Sequence, residues 1–158
     1  VDGTGTSAIV QHWVTAVANQ TYTAPTVLGM PTTTVAAQMP YPQLHTTWSA
    51  YTGAVGYAWS ASQALTGTAC GAGGGSCTVT WSSIVSAAAA GAAPSVAMPD
   101  LSALPGWDHA LELVASTAVS GSVTATTSSA GAGDFPAATP APAGTQRVVV
   151  AATWTATP

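Results

Sequence analysis

An α+β fold, with an N-terminal amphipathic helix packed on an antiparallel sheet and one disulfide, is the architecture the sequence predicts. Three observations predict it. Ile9, Val10, Trp13, Val14 and Val17 form an apolar stripe at helical spacing near the start of the chain. From residue 54 onward, Val-, Thr- and aromatic-rich runs alternate as strands do. Within that region, Cys70 and Cys77 enclose the flexible Gly71–Ser76 segment, which lets the two sulfurs meet. At 158 residues the chain fits one domain, 1–158, long enough to bury a core.

The expected helix covers residues 7–20, with Ser7 as N-cap and Asn19 at its end. Residues 24–42 carry Pro25, Gly29, Pro31, Pro40 and Pro42, so they read as an extended connection with at most a short strand. Residues 45–65 suit either period, but Gly53 and Gly56 weaken a helix, and a strand is expected over 54–62. Cys77 to Trp81 reads as a strand, and Ser82 to Ala90 as a short helix closed by Gly91. Alternation predicts β structure again over 109–117, an interruption at Gly121, and a β-rich run over 123–127. Residues 128–145 read as a long loop, and Gln146 to Thr157 as the last strand.

Charge bounds the function. Arg147 is the only basic side chain apart from His, and the acids are Asp2, Asp100, Asp108, Glu112 and Asp134. Charged residues make up 4% of the chain, against about 25% in an ordinary soluble domain. One Arg cannot neutralise a phosphate backbone, which excludes nucleic acid, and an anionic membrane surface is a poor partner for the same reason. Six Trp and four Tyr argue against disorder. Two settings favour so few charges. In strong acid there are few carboxylates to lose, and the formal charge moves only from −4 to about +4 (one Arg and three His). In a dense assembly, surface charge would hinder lateral contact. A disulfide implies an oxidising compartment, so an extracytoplasmic location is expected. The start at Val1, without an initiator Met, predicts that a signal or anchor segment precedes this chain. No stretch is apolar for long enough to span a bilayer as a helix.

Chemistry-bearing residues are sparse. Asp108, His109 and Glu112 are the one local titratable cluster. A metal or acid/base site there would need His12 or His45 brought from elsewhere. On a strand Asp108 and Glu112 would face away from His109, so a solvated face beside a turn is the expectation. No Gly-x-Ser-x-Gly elbow is present, and the Gly-rich 71–75 segment lacks the Lys of a phosphate loop. Asn19-Gln20-Thr21 matches a glycosylation sequon. No catalytic residue, metal or cofactor is assigned. Trp13 is expected in the core. Trp48, Trp59 and Trp107 lie near Gly- or Pro-rich turns, where aromatics can contact an apolar surface, a sugar or a partner subunit.

The order of elements, a helix over Ser7–Gln20 and then a β-rich region carrying Cys70 and Cys77, resembles the globular part of a type IV pilin. That resemblance implies a helix laid on a sheet, a disulfide stapling the head, and assembly into a homo-oligomer or filament. The pairing here is mid-chain, and the family's hydrophobic helix with a Glu near its start is not among these residues. The expected function is a non-enzymatic, exported, pilin-like protein acting in assembly, adhesion or wetting of apolar surfaces, in an acid setting. The alternatives are a virion tail or decoration protein and a small acid-stable hydrolase.

Overall fold

A computed structural model describes residues 5–14, 19, 21, 23–70, 74–135 and 141–158. The chain is built from strands: β1 (Gly5–His12), β2 (Thr32–Ala37), β3 (Gln43–Thr47), β4 (Ala54–Thr66), β5 (Ser76–Ser86), β6 (Ser95–Ala97), β7 (Val119–Ser128) and β8 (Gln146–Ala156). The only α-helical turn among the described residues is α1 (Ala87–Ala90). The strands make a five-stranded sheet in the order β1-β8-β7-β4-β5 and a three-stranded sheet in the order β2-β3-β6. All pairings are antiparallel.

The expected α+β fold is therefore corrected to an all-β one. Residues 5–12, which include most of the first half of the expected helix, form β1, an edge strand paired along its whole length with β8. Trp13 and Val14 follow without regular structure, and 15–18 and 20 lie outside the described residues. The physical reason is tertiary. Ile9 and Val10 are β-branched, which weakens a helix, and the open edge of β8 offers eight paired positions from Gly5↔Thr153 to His12↔Gln146. Trp13 also leaves the core. It is half-buried, and its ring covers the Arg147 guanidinium at 4.6 Å.

The central strands follow from alternation. On β4 the odd positions Tyr57, Trp59, Ala61, Gln63 and Leu65 are buried, and the even positions face outward. Val123 and Ala125 of β7 and Val150, Ala152 and Trp154 of β8 continue the same inner face. Leu44 of β3, with Leu28, Tyr41, Trp48 and Met98, joins them in one hydrophobic cluster, so the two sheets share a core. Trp48 meets Tyr57 edge-to-face at 5.6 Å, and Trp59 stacks on Trp154 at 6.2 Å. These large aromatics fill volume at a cost, since the indole N–H groups of Trp48, Trp59 and Trp154 have no hydrogen-bond partner in the protein.

Gly121 does not interrupt β7. It pairs with Trp154, whose indole lies where a Cβ at Gly121 would stand. The glycine makes room for the ring, and the ring covers the bare backbone. The strand expected over 77–81 runs on to Ser86, and only the last turn of the expected helix forms, capped by the Ser86 hydroxyl and ended at Gly91 with φ 66°. The segment 109–117 is not a strand. Its start is a 3-10 turn, His109–Leu111, capped by Asp108. Its end is taken by Gln63, fully buried, whose amide donates to the carbonyls of Val114 and Thr117 at 2.8 Å and accepts from the Val114 N–H at 2.8 Å. A side chain thus supplies bonds that a neighbouring strand would otherwise have made.

Cys70 and Cys77 are disulfide-bonded, closing the turn between β4 and β5. No described helix is long and apolar enough to cross a membrane.

Candidate binding surface

The open side of the sandwich, where β5 ends one sheet and β6 ends the other, carries an aromatic groove. Trp81 stands at its centre on the inner face of β5, paired across from Ala61. Tyr41 lies on one side at 6.3 Å between ring centroids, and Trp107 on the other at 5.8 Å. Two depressions flank Trp81. One, of about 240 Å³, is lined by Trp59, Trp81, Ser83, Val96, Met98 and Pro99 among others. The other, of about 190 Å³, is lined by Thr80, Trp81, Ser82, Leu101, Trp107 and Leu111. No charged side chain lines either one.

Hydrogen bonds hold the aromatic groups in place. The Trp81 indole donates to the Leu111 carbonyl at 2.9 Å. The Tyr41 hydroxyl donates to the Pro99 carbonyl at 2.8 Å and accepts from the Leu101 N–H at 3.1 Å. The Trp107 indole donates to Glu112 Oε1 at 3.1 Å, and His109 Nδ1 lies 2.6 Å from the same oxygen. With the polar atoms of all three rings engaged, what remains toward the groove is their apolar surface. The loop also leaves Leu104 (55%), Leu111 (46%) and Val114 (37%) exposed.

The titratable cluster has a structural use. Glu112 orients Trp107 and pairs with His109, while Asp108 Oδ1 accepts the Ala110 N–H at 2.9 Å. The two carboxylates therefore serve different partners. Asp100, at the start of this loop, accepts from the Ser102 hydroxyl at 2.7 Å and its N–H at 3.0 Å, and those bonds hold its carboxyl below the usual carboxylate range. His12 ends β1 and His45 lies in β3, on different sheets. Among the described residues no group of three or more His, Cys, Asp or Glu is placed to hold a metal ion.

The one Arg is also structural. Arg147, 3% exposed on β8, makes a two-pronged bond to Asp134 at 2.9 and 2.5 Å, and the Ser128 hydroxyl donates to the same carboxylate at 2.6 Å. The guanidinium, and then the Ser128 hydroxyl, hold the Asp134 carboxyl below the usual carboxylate range. This cluster ties the loop after β7 to the outer face of the sheet.

Of the three tryptophans singled out in the sequence as contact residues, only Trp107 reaches the groove from the surface. Trp48 (6%) and Trp59 (3%) are core residues: Trp59 points inward from β4, forming only the floor of the first depression, and Trp48, just past the end of β3, packs against Tyr57. Trp81 and Tyr41 were missed as groove residues. The signal for Trp81 was its place in the Cys77–Val79–Trp81 alternation on what proves to be an edge strand, but a single chain does not announce which strand is an edge. No protein-family model, curated protein or solved structure matches this chain.

Proposed function

We propose that this protein is a non-enzymatic, exported β-sandwich that adheres to apolar surfaces through the Trp81–Trp107 groove and the loop beside it. The observation that carries the reading is the rigid aromatic row, Tyr41–Trp81–Trp107, with its polar atoms engaged and the exposed Leu104 and Leu111 next to it. The scarcity of charge supports it, because little hydration has to be removed when the surface is covered. The disulfide supports an oxidising, extracytoplasmic setting. A pilin architecture is not part of this proposal, since the helix-first order on which that resemblance stood is replaced by a strand at 5–12.

The test is adsorption of the purified chain to alkyl-coated particles at neutral and acid pH. Trp107→Ala is expected to weaken binding by at least about fivefold, as loss of an interfacial Trp commonly costs more than 1 kcal/mol. Equal adsorption by the variant, or none by the parent chain, sinks the reading.

A further inference from the structure

The five-stranded sheet ends at β1 on one side and at β5 on the other, and among the described residues no further strand pairs with either. An edge strand presents unpaired N–H and C=O groups, and proteins commonly block it with Lys, Pro, a bulge or a covering segment. β5 has no such blocking residue. Its eleven residues include no charge and no Pro, and they pair with β4 in unbroken register from Gly56↔Ser86 to Thr66↔Ser76. Val85 and Ser83 are only half-buried, although their partners Tyr57 (2%) and Trp59 (3%) are fully inside. The difference comes from the place of β5 at the end of the sheet, where among the described residues no further strand pairs with it.

We infer that this edge is an interface at which a second copy of the chain adds its own β5, antiparallel and about a twofold axis, so that the two sheets become one. The strand is complementary to itself. Its outward row is Thr78, Thr80, Ser82 and Ile84, and its inward row is Cys77, Val79, Trp81, Ser83 and Val85. Run against itself with faces matched and centred on Trp81, it sets Thr80 against Ser82 on the outward row and Val79 against Ser83 beside the paired Trp81 rings on the inward row, and no charge meets its own sign. Strand parity selects the twofold. With five antiparallel strands, β1 and β5 run the same way, so β1 of another copy stacked by translation would make a parallel junction, less stable per residue. A twofold makes an antiparallel one and closes as a dimer. β5 is also longer than β1, eleven residues against eight. Pairing lies beside Ile84, 58% exposed in the single chain, and sets the two grooves on one face. It does not depend on what the grooves bind.

The experiment is sedimentation of the full, disulfide-intact chain up to about 500 µM, with amide exchange followed over residues 76–86. The expected result is a dimer in which β5 amides gain protection as concentration rises. Thr80→Lys and Ser82→Lys, exposed positions that this register sets diagonally beside their own copies, are each expected to raise the dimer Kd by at least about tenfold, since like charges set together across an interface cost more than about 1.4 kcal/mol. Ile9→Lys on β1, 57% exposed, should leave it unchanged. Circular dichroism confirms that each variant folds. A chain that stays monomeric, a dimer without protection of β5, or one broken by Ile9→Lys and not by the β5 variants, overturns the assignment.

Discussion

The two faces of the five-stranded sheet share one backbone and differ in almost everything else. The inner face carries Tyr57, Trp59, Val123, Val150 and Trp154, all buried. The outer face carries Ser60, Ser62, Ser122, Thr124, Thr153 and Thr155, small hydroxyl side chains, with Ser60 bonded to Ser122 across the strands at 3.0 Å. The inner face derives its stability from volume and close packing. The outer face presents hydroxyl groups where charges would be usual, and the Arg147–Asp134 ion pair on it lies under the Trp13 ring. Most of the hydration of this face thus falls to Ser and Thr, with Ile9 and Ile84 as apolar exceptions on the two edge strands.

The comparison predicts unequal costs. Trp154→Ala on the inner face should be the most severe, with a loss of about 3–5 kcal/mol in denaturant unfolding, because it empties the stack with Trp59 and uncovers Gly121. Gly121→Ala should cost about 1–3 kcal/mol, since the new methyl meets both the Trp154 indole and the Ser60 carbonyl, which is backbone. Gly56→Ala, on the outer face, meets the ring of Phe135 first, a side chain rather than backbone, and should cost less than Gly121→Ala. A larger loss at Gly56 than at Gly121 would break the contrast. Opening the disulfide with Cys77→Ser should cost about 2.5 kcal/mol, the loop entropy of so short a closure. Thr155→Ala, exposed on the outer face, should stay within about 0.5 kcal/mol.

Acid sharpens the comparison from the outer side. The folded-state pKa of Asp134 lies below its ordinary 3.8, so the unfolded chain takes up the proton first as pH falls. The stability contributed by the Arg147 contact is therefore present above about pH 3.8 and is lost as pH drops through the lower folded value. Melting temperature measured from pH 7 to pH 2 should decline at the acid end, and Asp134→Asn should flatten that decline. An unchanged acid slope in the variant would show that the pair carries no such linkage. Asp100, lowered by Ser102, adds a decline of the same sign.

How much of this was legible follows from the residues. The strand expected over 54–62 was readable because Gly53 and Gly56 disfavour the competing helix, and it runs on to Thr66; the one expected over Gln146 to Thr157 was readable from its Val and Thr content, and it ends at Ala156. The disulfide was readable from spacing. The N-terminal strand was not, because Ile9, Val10, Trp13 and Val14 satisfy a helical period while what decides their conformation is an open edge 140 residues away in the chain (Ile9↔Val149). The segment 109–117 misled for a similar reason, as its alternation is real but Gln63 takes the backbone bonds at Val114 and Thr117. The groove was half legible. Trp107 stood out beside its turns, whereas Trp81 and Tyr41 gained meaning only once the edges of the two sheets were known.

The pairing of β1 with β8 also fixes how the molecule answers to force. Gly5 lies opposite Thr153, and His12 opposite Gln146, so the first and last strands start and finish at the same end of the sheet. A load drawn between those two ends meets the ladder one rung at a time and opens it like a zipper. It does not shear all eight pairs together. Tension would peel β1 first, while the disulfide-closed hairpin of β4 and β5, at the far side with the groove, stays out of the line of pull. The compliant element under such a load is β1, and the aromatic groove lies on a part of the fold that the load does not unravel.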